Sequence, residues 1–280
     1  MYIAKALGIA LVAALWIAPP GTTRAAETEN LERIVGHAPD AGYTERLDRI
    51  HALPEHLSPE AIETLIAFLT DPTDPAPAEQ ADVYRNDAVN ALRRSNAPPD
   101  EVAAALQRAW GDRRHSFVWR SYCLQHLGGY LPDLSEDRAR SVRETLWRAA
   151  SAPETECAGT ALLALLSNLD HGIDAQRLAD RALDLVADPE SRRTAGLSAM
   201  QTLYELRDER AADLARELLT ETRSVPLRLI ALTTLGEHGG RGDAEYIDPY
   251  LNNPIPPLRR TAARARERFE QRHPVGDNDT

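Results

Sequence analysis

The sequence lacks several features that would identify a function. No Gly-x-Ser-x-Gly elbow, phosphate-binding loop or EF-hand loop occurs among its 280 residues. Its two cysteines form no Cys-x-x-Cys motif, so they indicate no catalytic thiol pair. No window alternates with period two, and this absence predicts a fold without a β-sheet. We therefore expect a protein that is not an enzyme, with no catalytic, cofactor-binding or metal-ligating residue.

Lysine is almost absent. The only one is Lys5, and every later basic side chain apart from histidine is arginine. One interpretation is a GC-rich genome, and the other is selection for guanidinium groups, which hold carboxylates in a bidentate geometry. Removing Lys5 and Arg24 from the 32 basic residues leaves 30 against 43 acidic ones, a net charge of −13. This charge argues against binding to nucleic acid or to anionic membranes.

The first 25 residues have the pattern of a cleaved secretory signal peptide. Lys5 gives a positive start, residues 6–18 are apolar, and Thr23-Arg24-Ala25 offers small residues where a signal peptidase reads them. A membrane anchor is the alternative, but the apolar run is shorter than the roughly 20 residues of a spanning helix. We expect cleavage near Ala25 and a periplasmic or secreted mature chain. No later segment is apolar enough for stable membrane insertion.

One helical pattern recurs six times, at spacings of 31 to 38 residues. It consists of an opening residue that is usually basic, a small residue three positions on, and an aliphatic residue four further on. Such a period is typical of stacked helix pairs. We expect the small and aliphatic residues to form the contact between successive repeats. The pattern opens at Arg85, Arg120, Ala158, Arg193, Arg228 and Arg259; its small residues are Ala88, Cys123, Ala161, Gly196, Ala231 and Ala262; its third positions hold Leu92, Leu127, Leu165, Met200, Leu235 and Arg266.

The residue that follows each small one, for example Leu197, is also expected to be buried. Arg266 breaks the aliphatic stripe, as expected of a terminal repeat that faces water. Each pattern helix (the A helix) except the last precedes a second amphipathic helix (the B helix). A further pair lies upstream, around Leu47 to Leu69. The B helices are predicted near 100–110, 136–149, 175–187, 208–220 and 242–252.

The helix ends have their own signals. Ser58 followed by Pro59 predicts a helix start, and Asp100 and Ser135 are predicted N-caps. The pairs Gly128-Gly129 and Gly239-Gly240 are predicted to end their helices. Before the helices we expect a polar lead-in at residues 26–42, and after them a disordered tail at 273–280.

The segment from Pro226 to Phe269 resembles HEAT repeats, especially the short bacterial form in which a Pro-linked Leu-Arg opens the A helix. Arg228, Ala231, Leu235 and Gly236 occupy the positions that this form requires. The resemblance covers residues 224–269 well and residues 83–223 more loosely.

The resemblance implies an all-α fold: a right-handed α-α superhelix (an armadillo-type solenoid) of about six to seven helix pairs over residues 43–272. The B helices of such a superhelix line its concave face. HEAT-like families are mostly scaffolds and adaptors, and a few are lyases or metal hydroxylases. The repeated His-Glu dyads of those hydroxylases are missing here, since the chain has only Glu237-His238, in reversed order, and His56 after Glu55.

Cys123 and Cys157 are the only cysteines. Cys123 takes the small position of one A helix, and Cys157 precedes the small position of the next by four residues. In parallel neighbouring helices they would lie about one turn apart, so a disulfide needs a modest axial offset. An oxidising compartment favours that disulfide. Two buried free thiols are the alternative.

The densest basic and aromatic stretch contains Arg113, Arg114, Phe117 and Trp119. Arginine and tryptophan are frequent energetic centres of interfaces, so this stretch is a candidate anchor for an acidic protein partner. The alternative is that Phe117 and Trp119 form the buried face of a helix, and helical spacing favours that interpretation.

Trp110 and Trp147 lie near the ends of successive B helices. They form either an aromatic patch on the concave face or part of the packing.

Together these observations predict an exported scaffold or adaptor that binds a protein or peptide through its concave face. A lyase or hydrolase with its site in the groove, or a structural subunit of an envelope complex, is the alternative.

Overall fold

The computed structural model describes residues 28–36, 42–152 and 157–274. These residues contain fourteen α-helices and no strand, which confirms the predicted all-α class. The predicted signal peptide and residues 275–280 of the tail lie outside the described residues. Of the predicted lead-in at 26–42, residues 28–36 and 42 are described, and Leu31 and Ile34 there are buried in the core. The helices are α1 (residues 28–34), α2 (Tyr43–His51), α3 (Pro59–Thr70), α4 (Ala78–Arg94), α5 (Pro99–Gly111), α6 (Phe117–Tyr130), α7 (Glu136–Ser151), α8 (Ala158–Leu166), α9 (Ala175–Ala187), α10 (Pro189–Glu205), α11 (Ala211–Glu221), α12 (Val225–His238), α13 (Ala244–Ile247) and α14 (Pro256–Arg272).

The helices pack in neighbouring pairs. The A helices α2, α4, α6, α8, α10, α12 and α14 each contact the next A helix along the chain. Every B helix, from α3 to α13, also contacts the A helix that follows it. The B helices α3, α5 and α7 contact one another in order. One continuous layer of A helices therefore runs through the described chain.

Helix starts agree with the sequence signals only in part. The Ser58 hydroxyl accepts a hydrogen bond from the Ala61 amide, and Pro59 is the first residue of α3, which confirms that start. Asp100 is not an N-cap, because α5 already begins at Pro99. Its carboxylate instead accepts hydrogen bonds from Ser135, at the start of the next B helix. Ser135 is the N-cap residue of α7, as predicted. Its side chain makes no capping hydrogen bond to α7, because its hydroxyl donates to Asp100 instead.

Close contact between A helices depends on glycine. A Cβ atom at Gly236 would lie 2.7 Å from the Ala265 Cα atom of α14, and one at Gly128 would lie 2.8 Å from the Ala164 Cβ atom of α8. The prediction that α6 ends at Gly128 is wrong, since the helix continues to Tyr130. Gly128 is there because the helices approach too closely for a side chain. Gly239, by contrast, is the C-cap of α12, as expected.

The core follows the repeat pattern in four of the six A helices. The exception in mid-chain is α10, where Leu197 was expected to be buried and is instead 47% exposed. The terminal Ala263 is also exposed, as part of the outer face of α14. The residues expected at the contacts between repeats are buried: Ala88, Leu92, Leu127, Ala161, Leu165, Gly196, Ala231, Leu235 and Ala262.

The last repeat ends in polar side chains. Arg266 pairs with Asp248 and Glu270, and its guanidinium lies 5.6 Å from the centre of the Phe269 ring. His273 lies against the same ring, with the two ring centres 4.8 Å apart. The stripe of aliphatic residues therefore stops at a charged surface.

Candidate functional site

The recurring arginine of the A helices forms an internal helix cap. Arg228 Nε donates to the Thr222 carbonyl oxygen over 2.7 Å, and Arg120 Nε donates to the Trp110 carbonyl oxygen over 2.9 Å. Both oxygens lie at the C-terminal end of the preceding B helix, where backbone carbonyls have no partner inside the helix. Arginine near a helix C-terminus satisfies such carbonyls and the negative end of the helix dipole. Arg85 makes the same kind of bond to the carbonyl oxygen of Asp71.

α8 has no arginine at the capping position, yet the preceding B helix still has an arginine donor near its C-terminal end. α8 begins with Ala158 at the equivalent position. Near the end of the preceding B helix, the Ala150 carbonyl oxygen accepts a 2.7 Å hydrogen bond from Arg181 Nε of α9 instead. The B helix of this repeat therefore supplies the cap in place of its A helix, so the sequence position of the donor varies.

In α10 the capping arginine is Arg192, and the sequence register based on Arg193 is wrong by one residue. Arg192 Nε donates to the Val186 carbonyl oxygen over 2.6 Å, and its side chain is 15% exposed. Arg193 points outward with a side chain that is 77% exposed. Because the whole helix is shifted by about 100° relative to the expected register, Leu197 faces solvent.

Each predicted aromatic contact residue lies against an arginine of a later part of the chain. The guanidinium of Arg177 lies 4.0 Å from the Trp147 ring centre, and that of Arg148 lies 5.9 Å from the Trp110 ring centre. Both tryptophans are half-buried. These cation–π contacts link successive B helices. Their use by a partner stays a prediction.

The predicted basic and aromatic stretch is split by the fold. Arg114 pairs with Asp112, whose pKa the hydrogen bonds from Arg114 lower to about 2. Arg113 is also exposed. Trp119 is fully buried, as the packing interpretation expected, whereas Phe117 is 54% exposed.

A half-buried serine lies close to a buried aspartate and a buried histidine beside this stretch. Ser116 donates its hydroxyl to Asp82 while accepting the Trp119 amide, so the serine is held as the cap of α6. His115 faces the carbonyl oxygen of Thr70, and burial, followed by the charge of Arg85, lowers its pKa. The serine hydroxyl is directed to a carboxylate and not to the imidazole. The arrangement accounts for helix capping and offers no activated nucleophile.

A cleft lies between the first turns of α10 and α12. It has a volume of about 710 Å³. Its apolar surface includes the exposed Leu197 together with Pro226 and Leu227, and the guanidinium groups of Arg193 and Arg223 stand at its margin. We call this the Leu197 cleft. Three of its lining residues are arginines and one is a glutamate, so its lining carries a net charge of +2 on a strongly acidic protein.

The cysteines are both buried free thiols in this structure. Cys157 Sγ lies 3.4 Å from the Ser121 hydroxyl, two residues before Cys123. Burial is the main cause that raises the pKa of Cys123 well above its usual value. A thiol in this state is a poor nucleophile. The disulfide between Cys123 and Cys157 stays a prediction.

Within the described residues, no three His, Cys, Asp or Glu side chains are grouped in a way that could hold a metal ion. None of the helices in the described ranges is long and apolar enough to cross a membrane.

No protein-family model matches this chain, and no curated protein sequence matches it.

Sequence reasoning missed the two residues that mark open surfaces. Leu197 was assigned to the core, and only the geometry of Arg192 shows why it is exposed. Arg207, which follows α10, was not among the predicted site residues. It is the one non-glycine residue with positive φ among the described residues. A sequence signal existed for neither, because helix rotation and backbone handedness depend on tertiary contacts.

Proposed function

We propose that the chain is a HEAT-like solenoid that acts as a binding protein. Each A helix contacts the next, which is the arrangement from which an α-solenoid is built. Glycine or alanine at these contacts allows the helices to approach closely. The proposal keeps the expectation that the chain is exported and acts as a scaffold or adaptor for a protein partner.

We assign the partner contact to the Leu197 cleft. The observation that carries the assignment is an exposed leucine inside a positively charged cleft. A leucine side chain gains about 1.5 to 3 kcal/mol on complete burial, so an exposed one in a cleft offers substantial binding energy. Arg223 has no ion-pair partner among the described residues, and Arg193 has only a long contact of 3.9 Å to Glu190.

These features fit an acidic protein segment that carries an apolar side chain. The apolar side chain would cover Leu197, and carboxylates on either side would pair with Arg193 and Arg223. Arg192, the capping arginine that lines the cleft, is already held by the Val186 carbonyl oxygen and by Glu217 and Glu221. Arg193 and Arg223 therefore remain for a partner.

The test uses the mature chain from Ala26 and a fluorescein-labelled peptide of alternating Asp and Leu, with a Lys-Leu peptide of equal length as comparison. We expect saturable fluorescence anisotropy with the acidic peptide only. Leu197→Gln should weaken binding about tenfold, since partial burial of one leucine contributes on the order of 1.4 kcal/mol. Arg223→Gln should weaken it as well and reduce its dependence on salt.

Gln201→Ala is the matched control, because Gln201 is exposed one turn further along the same helix. Its affinity should equal that of the unmodified chain. Absence of saturable binding, or equal affinity of the Leu197→Gln variant, would overturn the assignment. Weaker binding in Trp147→Ala alone would place the partner on the B-helix face instead.

A further inference from the structure

An arginine occupies a backbone position that normally belongs to glycine. α10 ends in a Schellman motif, in which the Asp208 amide donates to the Leu203 carbonyl and the Arg207 amide donates to the Tyr204 carbonyl. Arg207 is the left-handed residue of this motif, with φ of 54°. The other positive φ angles among the described residues belong to Gly36 and Gly172.

Left-handed backbone is unfavourable for a residue with a Cβ atom, and glycine takes it without that penalty. A strained residue that the fold retains is a reason to examine what its side chain does. The side chain of Arg207 is exposed and makes no hydrogen bond or ion pair within the described part of the chain. The motif itself therefore gives no reason for an arginine.

Arg207 stands at the margin of a polar cavity of about 440 Å³, formed where the C-terminal ends of α10, α12 and α14 meet. His238 of α12 and Arg272 of α14 line the same cavity. Both arginines act on the imidazole, because their charges add to desolvation, the main cause, in lowering the pKa of His238. Cationic groups from three repeats thus converge on one polar space.

The donors around the cavity are fixed in place. Arg272 donates to the carbonyl oxygens of Gly236 and Gly239 over 2.9 and 2.6 Å. His238 lies 5.1 Å, ring centre to ring centre, from Tyr204, and its Nε2 atom is 3.2 Å from the Tyr204 carbonyl oxygen. The guanidinium of Arg272 keeps its Nε–H and the second hydrogen of Nη1 for a ligand, and because it is fixed it loses little entropy on binding.

The acidic groups of the cavity are Glu205 and Glu237. Glu237 forms an ion pair with Arg268 of α14, so these two charges compensate each other. Glu205 lies on the last turn of α10, next to the Arg207 side of the cavity. With Arg268 and Glu237 paired, Arg207 and Arg272 exceed Glu205 by one positive charge, to which a protonated His238 would add another.

We propose that this cavity is a binding site for a phosphate-type oxyanion, either free phosphate or a phosphate monoester, held between Arg207 and Arg272 above the His238 ring. A tetrahedral oxyanion presents acceptors on several sides and can therefore contact donors that approach from different helices. A planar carboxylate is satisfied by one guanidinium fork. The site is separate from the Leu197 cleft, which lies at the opposite ends of α10 and α12.

The experiment titrates inorganic phosphate into the mature chain and follows the His238 ring signals by NMR, assigned by their loss in His238→Gln. Phenyl phosphate and acetate are titrated at the same ionic strength. We expect saturable shifts with phosphate, and a pKa of His238 that rises when phosphate is bound, because an anion favours the imidazolium. A stronger response to phenyl phosphate would identify a monoester as the ligand, and a weaker one free phosphate.

The decisive variant is Arg207→Gly, which removes the guanidinium and suits the left-handed backbone. Its unfolding midpoint should be equal to or higher than that of the unmodified chain, while phosphate affinity falls about tenfold or more. Arg94→Gln, at an exposed arginine of α4, should bind phosphate normally. Unchanged phosphate affinity in Arg207→Gly, or equal shifts with acetate, would overturn the proposal.

Discussion

The capping role of arginine can be tested by comparing two neighbours in α10. Arg192 donates to the carbonyl oxygens of Val186 and Ala187, and it forms ion pairs of 3.3 and 3.5 Å with Glu217 and Glu221. Arg193 is exposed, and its only ion pair among the described residues, with Glu190, is 3.9 Å long. Replacing each arginine by alanine removes the same charge and the same number of atoms from adjacent positions of one helix. The two variants therefore differ in the cap.

The expected difference follows from the two sets of contacts. A hydrogen bond from a charged donor contributes about 1.5 to 3 kcal/mol, and the exposed ion pairs add at most about 1 kcal/mol. Arg192→Ala should therefore destabilise by about 2 kcal/mol, which corresponds to roughly 4 to 8 °C in a chain of this length. Arg193→Ala should change the free energy of unfolding by no more than about 0.5 kcal/mol.

Circular dichroism at 222 nm during urea and thermal unfolding measures both variants. Midpoints are compared directly, because stacked repeats need not unfold in a single step. Arg192→Lys provides a further control, since it keeps the charge without the Nε donor and should recover only part of the loss. Equal midpoints for the two alanine variants, or a larger loss in Arg193→Ala, would refute the shifted register of α10.

Two other predictions concern the contact between repeats and the effect of acid. Gly236→Ala should destabilise by about 1 to 2 kcal/mol although alanine favours helix, because the new Cβ atom meets the α14 backbone; Gly111→Ala, where no atom lies within 4 Å, should be neutral or stabilising. Equal stability of the two variants would contradict the close packing. His126 donates to Asn86, and burial, followed by the charge of Arg93, lowers its pKa from 6.5 to about 4. Since the unfolded chain binds the proton first, stability should fall between pH 6.5 and 4 by about 3 kcal/mol more than in His126→Gln, and superimposable pH profiles would rule this out.

The free arginines have a different significance from the repeated ones. The repeated arginines cap B helices. The arginines that remain open, such as Arg223 and Arg207, occur at positions that do not repeat. In a solenoid, repeated residues tend to maintain the stack, so binding residues are better sought among departures from the repeat.

The helical periodicity was sufficient to predict the all-α class, most A helices and their buried faces. Leu92 and Leu235 are buried because side chains with a period of 3.6 residues face one side of a helix wherever it packs. The Ser58-Pro59 start was equally local, since a cap involves only the next few amides. Asp100 was misassigned because its partner, Ser135, is distant in sequence.

The sequence by itself determined the helices, their order and the small residues between them, because these depend on interactions within a few residues along the chain. Only the tertiary structure decided the rotation of α10. The Val186 carbonyl oxygen accepts a hydrogen bond from Arg192 and not from Arg193 because of the way α10 packs against α9. The same rotation exposes Leu197. Likewise, the ends of α10, α12 and α14 enclose a cavity only when three repeats are stacked, which is why Arg207 and His238 meet there.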